Sequence, residues 1–241
     1  MNNGDTRVSL LMSHLMLRRV LGILGIALPI VLAVWGFALS GWSLELQDSI
    51  SDYYSLRTRD VFVGILFVIA WFLFAYRGYE RKDDIAGYLA CVFALGVVFF
   101  PNSGESWEPI VHFSSAASLF LVFSFFSIFL FTKSRGHRTP QKRRRNKVYV
   151  TCGIVMLVCM ALIGWYKLYF EDTFISDYHP MFWLESLMIW AFGISWFVKG
   201  ETLLKDPKYP RYQPVVDASG DNDGILNTQK RIDELIKEYE G

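Results

Sequence analysis

The sequence predicts an all-α fold, a polytopic bundle of six transmembrane helices with both termini cytoplasmic. Six long apolar runs, each followed by a polar break, lie between about residue 20 and residue 199. At 1.5 Å rise per residue, ~20 apolar residues match the ~30 Å hydrocarbon core of a bilayer. The cations are also segregated. Of the 24 Lys and Arg residues, all but Arg57, Arg59 and Lys167 fall on one side of the runs, the side that the positive-inside rule assigns to the cytoplasm. The formal net charge of +1 conceals this separation. With 53% hydrophobic residues and a mean hydropathy of +0.29, the chain is more apolar than a soluble domain although it carries a polar tail.

Taken in order, the predicted spans are 20–41, 61–76, 85–101, 110–132, 148–166 and 181–198. The first is too long for the apolar core of a signal peptide, and no small-residue cleavage site precedes Ser43, so it is expected to be retained. The second and third are short for a span. Pro109 and Pro180 suit the first turns of the fourth and sixth helices, because proline lacks the N–H that a helix start leaves unpaired. These boundaries give a cytoplasmic segment 1–19, a membrane domain 20–199 and a cytoplasmic tail 200–241. Pro207, Pro210 and Pro214 mark the start of the tail as a linker. Ile232, Leu235 and Ile236 near its end predict a short terminal helix over 225–239, either an interfacial helix or a docking element for a cytoplasmic partner.

The fourth loop, 133–147, opens on Lys133, closes on Lys147 and contains Arg143-Arg144-Arg145. Such a loop is a topology signal and would also attract anionic lipid headgroups. Cys91, Cys152 and Cys159 all fall within spans, so they are expected as packing residues and not as a disulfide framework. Trp42, Trp107, Trp165, Tyr166 and Trp183 fall at the opposite boundary, as an interfacial belt would. No Gly-rich phosphate loop, Cys-based metal motif, HExxH or GxSxG is present, and no nucleic-acid partner is expected.

Chemistry is expected on the side away from the cations. The first outer loop carries Asp52. His112 opens the fourth span, with Ser115 one turn below it on the same face. Asp177 and His179 sit at the cap of the sixth span, and Glu185 lies more than one turn into it. Ionisable groups at membrane depth cost something like 2.5–3.5 kcal/mol each on insertion scales. They therefore tend to face the bundle interior and mark a site. Asp52, His112, His179 and Glu185 are the candidate binding residues. Their common depth makes His112 the expected hydrogen-bond partner of Glu185. A catalytic reading would use Asp52, His112 and Ser115.

Several of these residues together resemble the Frag/DRAM/Sfk family of six-span membrane proteins. The shared features are Ile50-Ser51-Asp52 after the first span, Phe62 at the start of the second, His112 with Ala116 opening the fourth, and Glu185 after Trp183 in the sixth. The resemblance covers roughly 20–199 and implies the six-span fold and a lipid context. More distantly the chain is similar to the CREST membrane hydrolases, which hold zinc with His and Asp ligands beside a Ser. On that likeness Asp52, His112 and His179 would be metal ligands, with Ser115 alongside. The HxxxH of that group is absent here, since Trp183 stands four residues after His179.

The leading expectation is an integral membrane protein, in a plasma membrane or bacterial inner membrane, whose extracytoplasmic polar pocket binds or handles a lipid headgroup. Two alternatives stand beside it. One is a metal-assisted membrane lipid hydrolase or acyl-transfer enzyme, with zinc as the cofactor. The other is a non-catalytic scaffold or regulator.

Overall fold

A computed structural model of the chain describes residues 3–39, 46–78, 80–134, 139–171 and 173–200, with side chains from His14 onward. All of these lie in the first of two compact units, Met1–Lys205. The tail, with its expected terminal helix, lies outside the described residues, as does Trp42.

Six long helices carry the described chain: α1 Asn3–Leu39, α2 Arg59–Ala75, α3 Arg81–Phe99, α4 Glu108–Phe125, α5 Pro140–Tyr169 and α6 Pro180–Lys199. Short 3₁₀ turns at Ser51–Ser55 and Phe174–Tyr178 precede α2 and α6, and a π-helical stretch, Phe126–Leu130, extends α4. The described residues form no strand. By length and composition, four segments could cross a membrane: His14–Leu39, Glu108–Leu130, Pro140–Tyr169 and Pro180–Lys199. α2, with 17 residues, and α3, which begins Arg81-Lys82-Asp83-Asp84, are not among the four.

α1 runs unbroken from Asn3, so the chain is already helical ahead of the first predicted span. One boundary differs from the sequence reading. The fifth helix begins at Pro140 and not near residue 148, so most of the expected basic loop is helical. The Thr139 side chain caps it by accepting the Lys142 amide hydrogen bond at 3.1 Å, and Pro140 occupies the first helical turn. Capping and a proline start outweigh the repulsion of neighbouring cations. The helix then sorts the Arg run by face. Arg143, Arg144 and Lys147 are exposed, while Arg145 is buried.

Each helix packs against its chain neighbours, and α6 packs against α1, so the six close into a ring. The ring is tightest between α1 and α6. A Cβ on Gly22 would stand 2.6 Å from the Phe197 backbone nitrogen, and one on Gly193 2.8 Å from the Gly22 carbonyl oxygen. Such backbone-to-backbone approach is how membrane helices gain van der Waals contact. At the end that bears the cations, Trp196 is fully buried. The rings of Tyr76, Phe126 and Phe131 stand 5.1, 5.3 and 5.1 Å from it. The aromatic cluster closes that end of the ring. Nearby, the Ser127 hydroxyl donates to Ser195 at 3.1 Å, so this member of the fourth-span serine series joins two helices by a hydrogen bond. Cys91, Cys152 and Cys159 are buried free thiols, as expected.

The start of α3 carries a buried carboxylate. Asp83, 1% exposed, accepts from the Lys133 ammonium at 3.1 Å and from the Glu80 amide at 3.0 Å. Burial by itself would lower the Lys133 ammonium, but Glu80 and Asp83 outweigh it and hold the group above its usual range.

Candidate functional site

The site is built on the segment between α1 and α2. Ser49 and Asp52 close a small box. The Ser49 amide donates to Asp52 Oδ2 at 2.9 Å, and the Asp52 amide to Ser49 Oγ at 3.2 Å. This reciprocal pattern is the capping box of a helix start, with Ser and an acid three residues apart. It starts the 3₁₀ turn Ser51–Ser55. The Thr58 hydroxyl ends the turn by donating to the Tyr53 carbonyl at 2.8 Å. Burial pushes the Tyr53 phenol up, against the hydrogen bond at the Gln47 backbone that lowers it.

Three other elements hold this turn. From α6, Glu185 Oε2 accepts the Ile50 amide at 2.7 Å, and the Ser51 amide faces the same carboxyl. From the α3–α4 connection, Asn102 Nδ2 donates to Asp52 Oδ1 at 2.6 Å. From α4, His112, fully buried, contacts Ser51 Oγ through Nε2 at 3.2 Å and the Phe100 carbonyl through Nδ1 at 2.7 Å. A carbonyl only accepts, so the proton is on Nδ1.

Asp52, His112 and Glu185 thus meet on one turn. The expected bond between His112 and Glu185 is not formed: each holds a different residue, Ser51 and Ile50. Depth along a span does not set the angle around the ring, and the turn fills the space between the two helices. His179 stands elsewhere. Its Nδ1–H donates to Asp48 Oδ1 at 2.8 Å, and its backbone is left-handed with φ 50°. Ser115 is turned toward α3, where a Cβ on Gly96 would collide with its hydroxyl. Asp177 is exposed. Asp52, His112 and His179 are not assembled as a zinc site. Both ring nitrogens of His112 are engaged elsewhere, and no group of three His, Cys, Asp or Glu among the described residues could hold a metal.

Two cavities adjoin the turn. The larger, about 420 Å³, lies inside the ring and receives side chains from all six helices, Leu28, Phe62, Val97, Ala116, Met160 and Glu185 among them. Its lining is apolar except for Ser51, Lys167 and Glu185. The smaller, about 260 Å³, is polar, with Asp48, Asp52, Glu171 and His179 in its wall. Phe113, Lys167 and Met181 line both, so the cavities lie on either side of these three residues. Lys167 also pairs with Glu171. Sequence reasoning did not single out Ser51, Asn102 or Lys167 as site residues. The Ser49–Asp52 spacing was the one local signal that could have pointed to the turn.

Glu185→Leu leaves the Ile50 amide without its acceptor and should cost about 1–3 kcal/mol. Glu185→Gln retains a carbonyl oxygen there and should cost less. Because Glu185 and His112 hold adjacent residues of one turn, thermal melts of Glu185→Leu, His112→Ala and the double variant should be non-additive. Strictly additive losses would show two independent anchors.

The chain matches no protein-family model, no curated protein sequence and no solved structure.

Proposed function

We propose that this is a six-span integral membrane protein that holds a lipid, its acyl chain in the apolar cavity and its headgroup in the polar chamber. The observation that carries the reading is the adjacency of the two cavities, which share Phe113, Lys167 and Met181 as lining. An apolar cavity beside a polar one matches the two ends of an amphiphile. The larger cavity is within the ~300–1,000 Å³ usual for ligand sites. Along α6 it runs from Met181 to Phe192, ~16 Å at helical rise, which is about one leaflet of a ~30 Å core.

Access from the bilayer is supported between α4 and α5. These helices are in close contact toward the cation-bearing end, where a Cβ on Gly153 would stand 3.3 Å from the Ser124 carbonyl oxygen. Toward the other end Phe113 and Ala117 line the cavity and are exposed. A chain could slide in sideways there while its headgroup stays at the boundary.

The six-span reading adds α2 and α3 to the four apolar segments. Seventeen residues reach ~25 Å, and the charges of α3 are confined to its first turn. With the cations inside, the lipid site faces the extracytoplasmic leaflet. The exposed Arg143, Arg144 and Lys147 would then meet anionic headgroups on the other side, in a plasma membrane or bacterial inner membrane. The resemblance to the Frag/DRAM/Sfk proteins points to the same lipid context.

Native mass spectrometry of the purified chain tests the reading. The wild type should retain lipid through detergent exchange, and Ala117→Trp, which fills the mouth, should lose most of it. Equal retention by the variant would place the lipid outside the cavity and sink the proposal.

A further inference from the structure

We propose that Ser51 and His112 form an acyl-transfer dyad that acts on the ester of a lipid held in the apolar cavity. This rests on the lipid-binding reading above. The Phe100 carbonyl fixes the proton on His112 Nδ1 and so leaves the Nε2 lone pair facing Ser51 Oγ at 3.2 Å. That is the arrangement a general base needs toward a serine nucleophile. The orienting partner is a backbone carbonyl, which holds the tautomer as a carboxylate does in a triad.

Access is one-sided. His112 is fully buried behind the turn, while Ser51 borders the cavity. An ester brought in by its acyl chain therefore meets the hydroxyl first, with the His112 Nε2 directly behind it. Glu185 is a positioning residue, since it holds the Ile50 and Ser51 amides.

The step balances without a metal or redox partner. Ser51 Oγ attacks the ester carbonyl carbon as its proton passes to His112 Nε2, giving a tetrahedral oxyanion. Collapse breaks the bond between that carbon and the ester's alkoxy oxygen, and the alcohol leaves with the proton from His112. Water from the polar chamber, whose wall includes Ser49 and Asp52 on either side of the dyad serine, then attacks the acyl-Ser51 with His112 again as base. A fatty acid and a free alcohol are the products.

An alkyl fluorophosphonate, which phosphonylates activated serines with loss of fluoride, tests the assignment on the purified full chain. Mass spectrometry should find the label on Ser51. Ser51→Ala should abolish it, and His112→Gln, which fills similar space but cannot take the proton, should slow it about 10²–10⁴-fold. Ser115→Ala, whose hydroxyl faces α3, should still label. If Ser51→Ala does not fold, His112→Gln decides the matter alone. An unlabelled wild type, a rate unchanged in His112→Gln, or a label on Ser115 would overturn the dyad. Lipid retention on the same samples separates the two proposals. Retention without labelling overturns the dyad and leaves the cavity reading standing, while a wild type that neither retains lipid nor labels overturns both.

Discussion

Gly193→Ala should destabilise the protein by about 1–3 kcal/mol, while Gly64→Ala should stabilise it by roughly 0.5–1 kcal/mol. Both glycines lie within helices, where intrinsic propensity favours alanine. The difference is what a methyl group would meet. At Gly193 it would stand 2.8 Å from the Gly22 carbonyl oxygen and 2.8 Å from the Ile26 amide nitrogen, both backbone atoms that no rotamer change can move. At Gly64 nothing lies within 4 Å. Relief at Gly193 therefore requires α1 and α6 to separate, which loosens the tightest joint of the ring. Denaturation in mild detergent measures both. A gain at Gly193 would mean that the two helices do not cross at this point.

Removing the Asp83 carboxylate is the second large effect. Asp83→Ala should cost about 2–3 kcal/mol at neutral pH, because a charge-assisted hydrogen bond to Lys133 and a capping bond from the Glu80 amide are lost together. Lys133 retains 30% of its side-chain exposure and also lies 3.0 Å from Glu80, so it is not left stranded. That keeps the cost below the 3–5 kcal/mol typical of a fully buried pair. The pH dependence has a definite sign. The folded protein holds Lys133 above its usual range, so the pair's contribution is complete below the unfolded lysine value and fades as pH rises through the folded one. The gap between wild type and Asp83→Ala should therefore narrow at strongly alkaline pH. A gap that widened there would show that Lys133 is not the partner that matters.

The candidate site was legible in its parts but not in its connections. Asp52, His112 and Glu185 stood out because ionisable groups beside apolar runs are costly. Their partners did not. Glu185 binds the amide of Ile50, 135 residues away, and a backbone amide leaves no mark in a sequence. Ser51 was one hydroxyl among several in the outer segments. Only the orientation of α4 selects it over Ser115, which lies nearer to His112 along the chain and faces α3 instead. The start of α5 was missed for a different reason. Thr139-Pro140 is a readable helix start, but the basic run after it reads as loop when hydropathy alone sets the boundary.

The sequence by itself determined the solvent and the class of fold. Backbone groups in lipid must be paired within a segment, so long apolar runs become helices whatever their neighbours do. It also determined which end of the bundle carries the cations, since charge is a property of composition. The tertiary structure alone decided the closure of α1 onto α6, the cavity that closure surrounds, and the pairing of Ser51 with His112. These depend on the rotation of each helix about its own axis. Close packing at a few glycines and the hydrogen bonds to one short turn set that rotation, and both draw together residues that no local pattern relates.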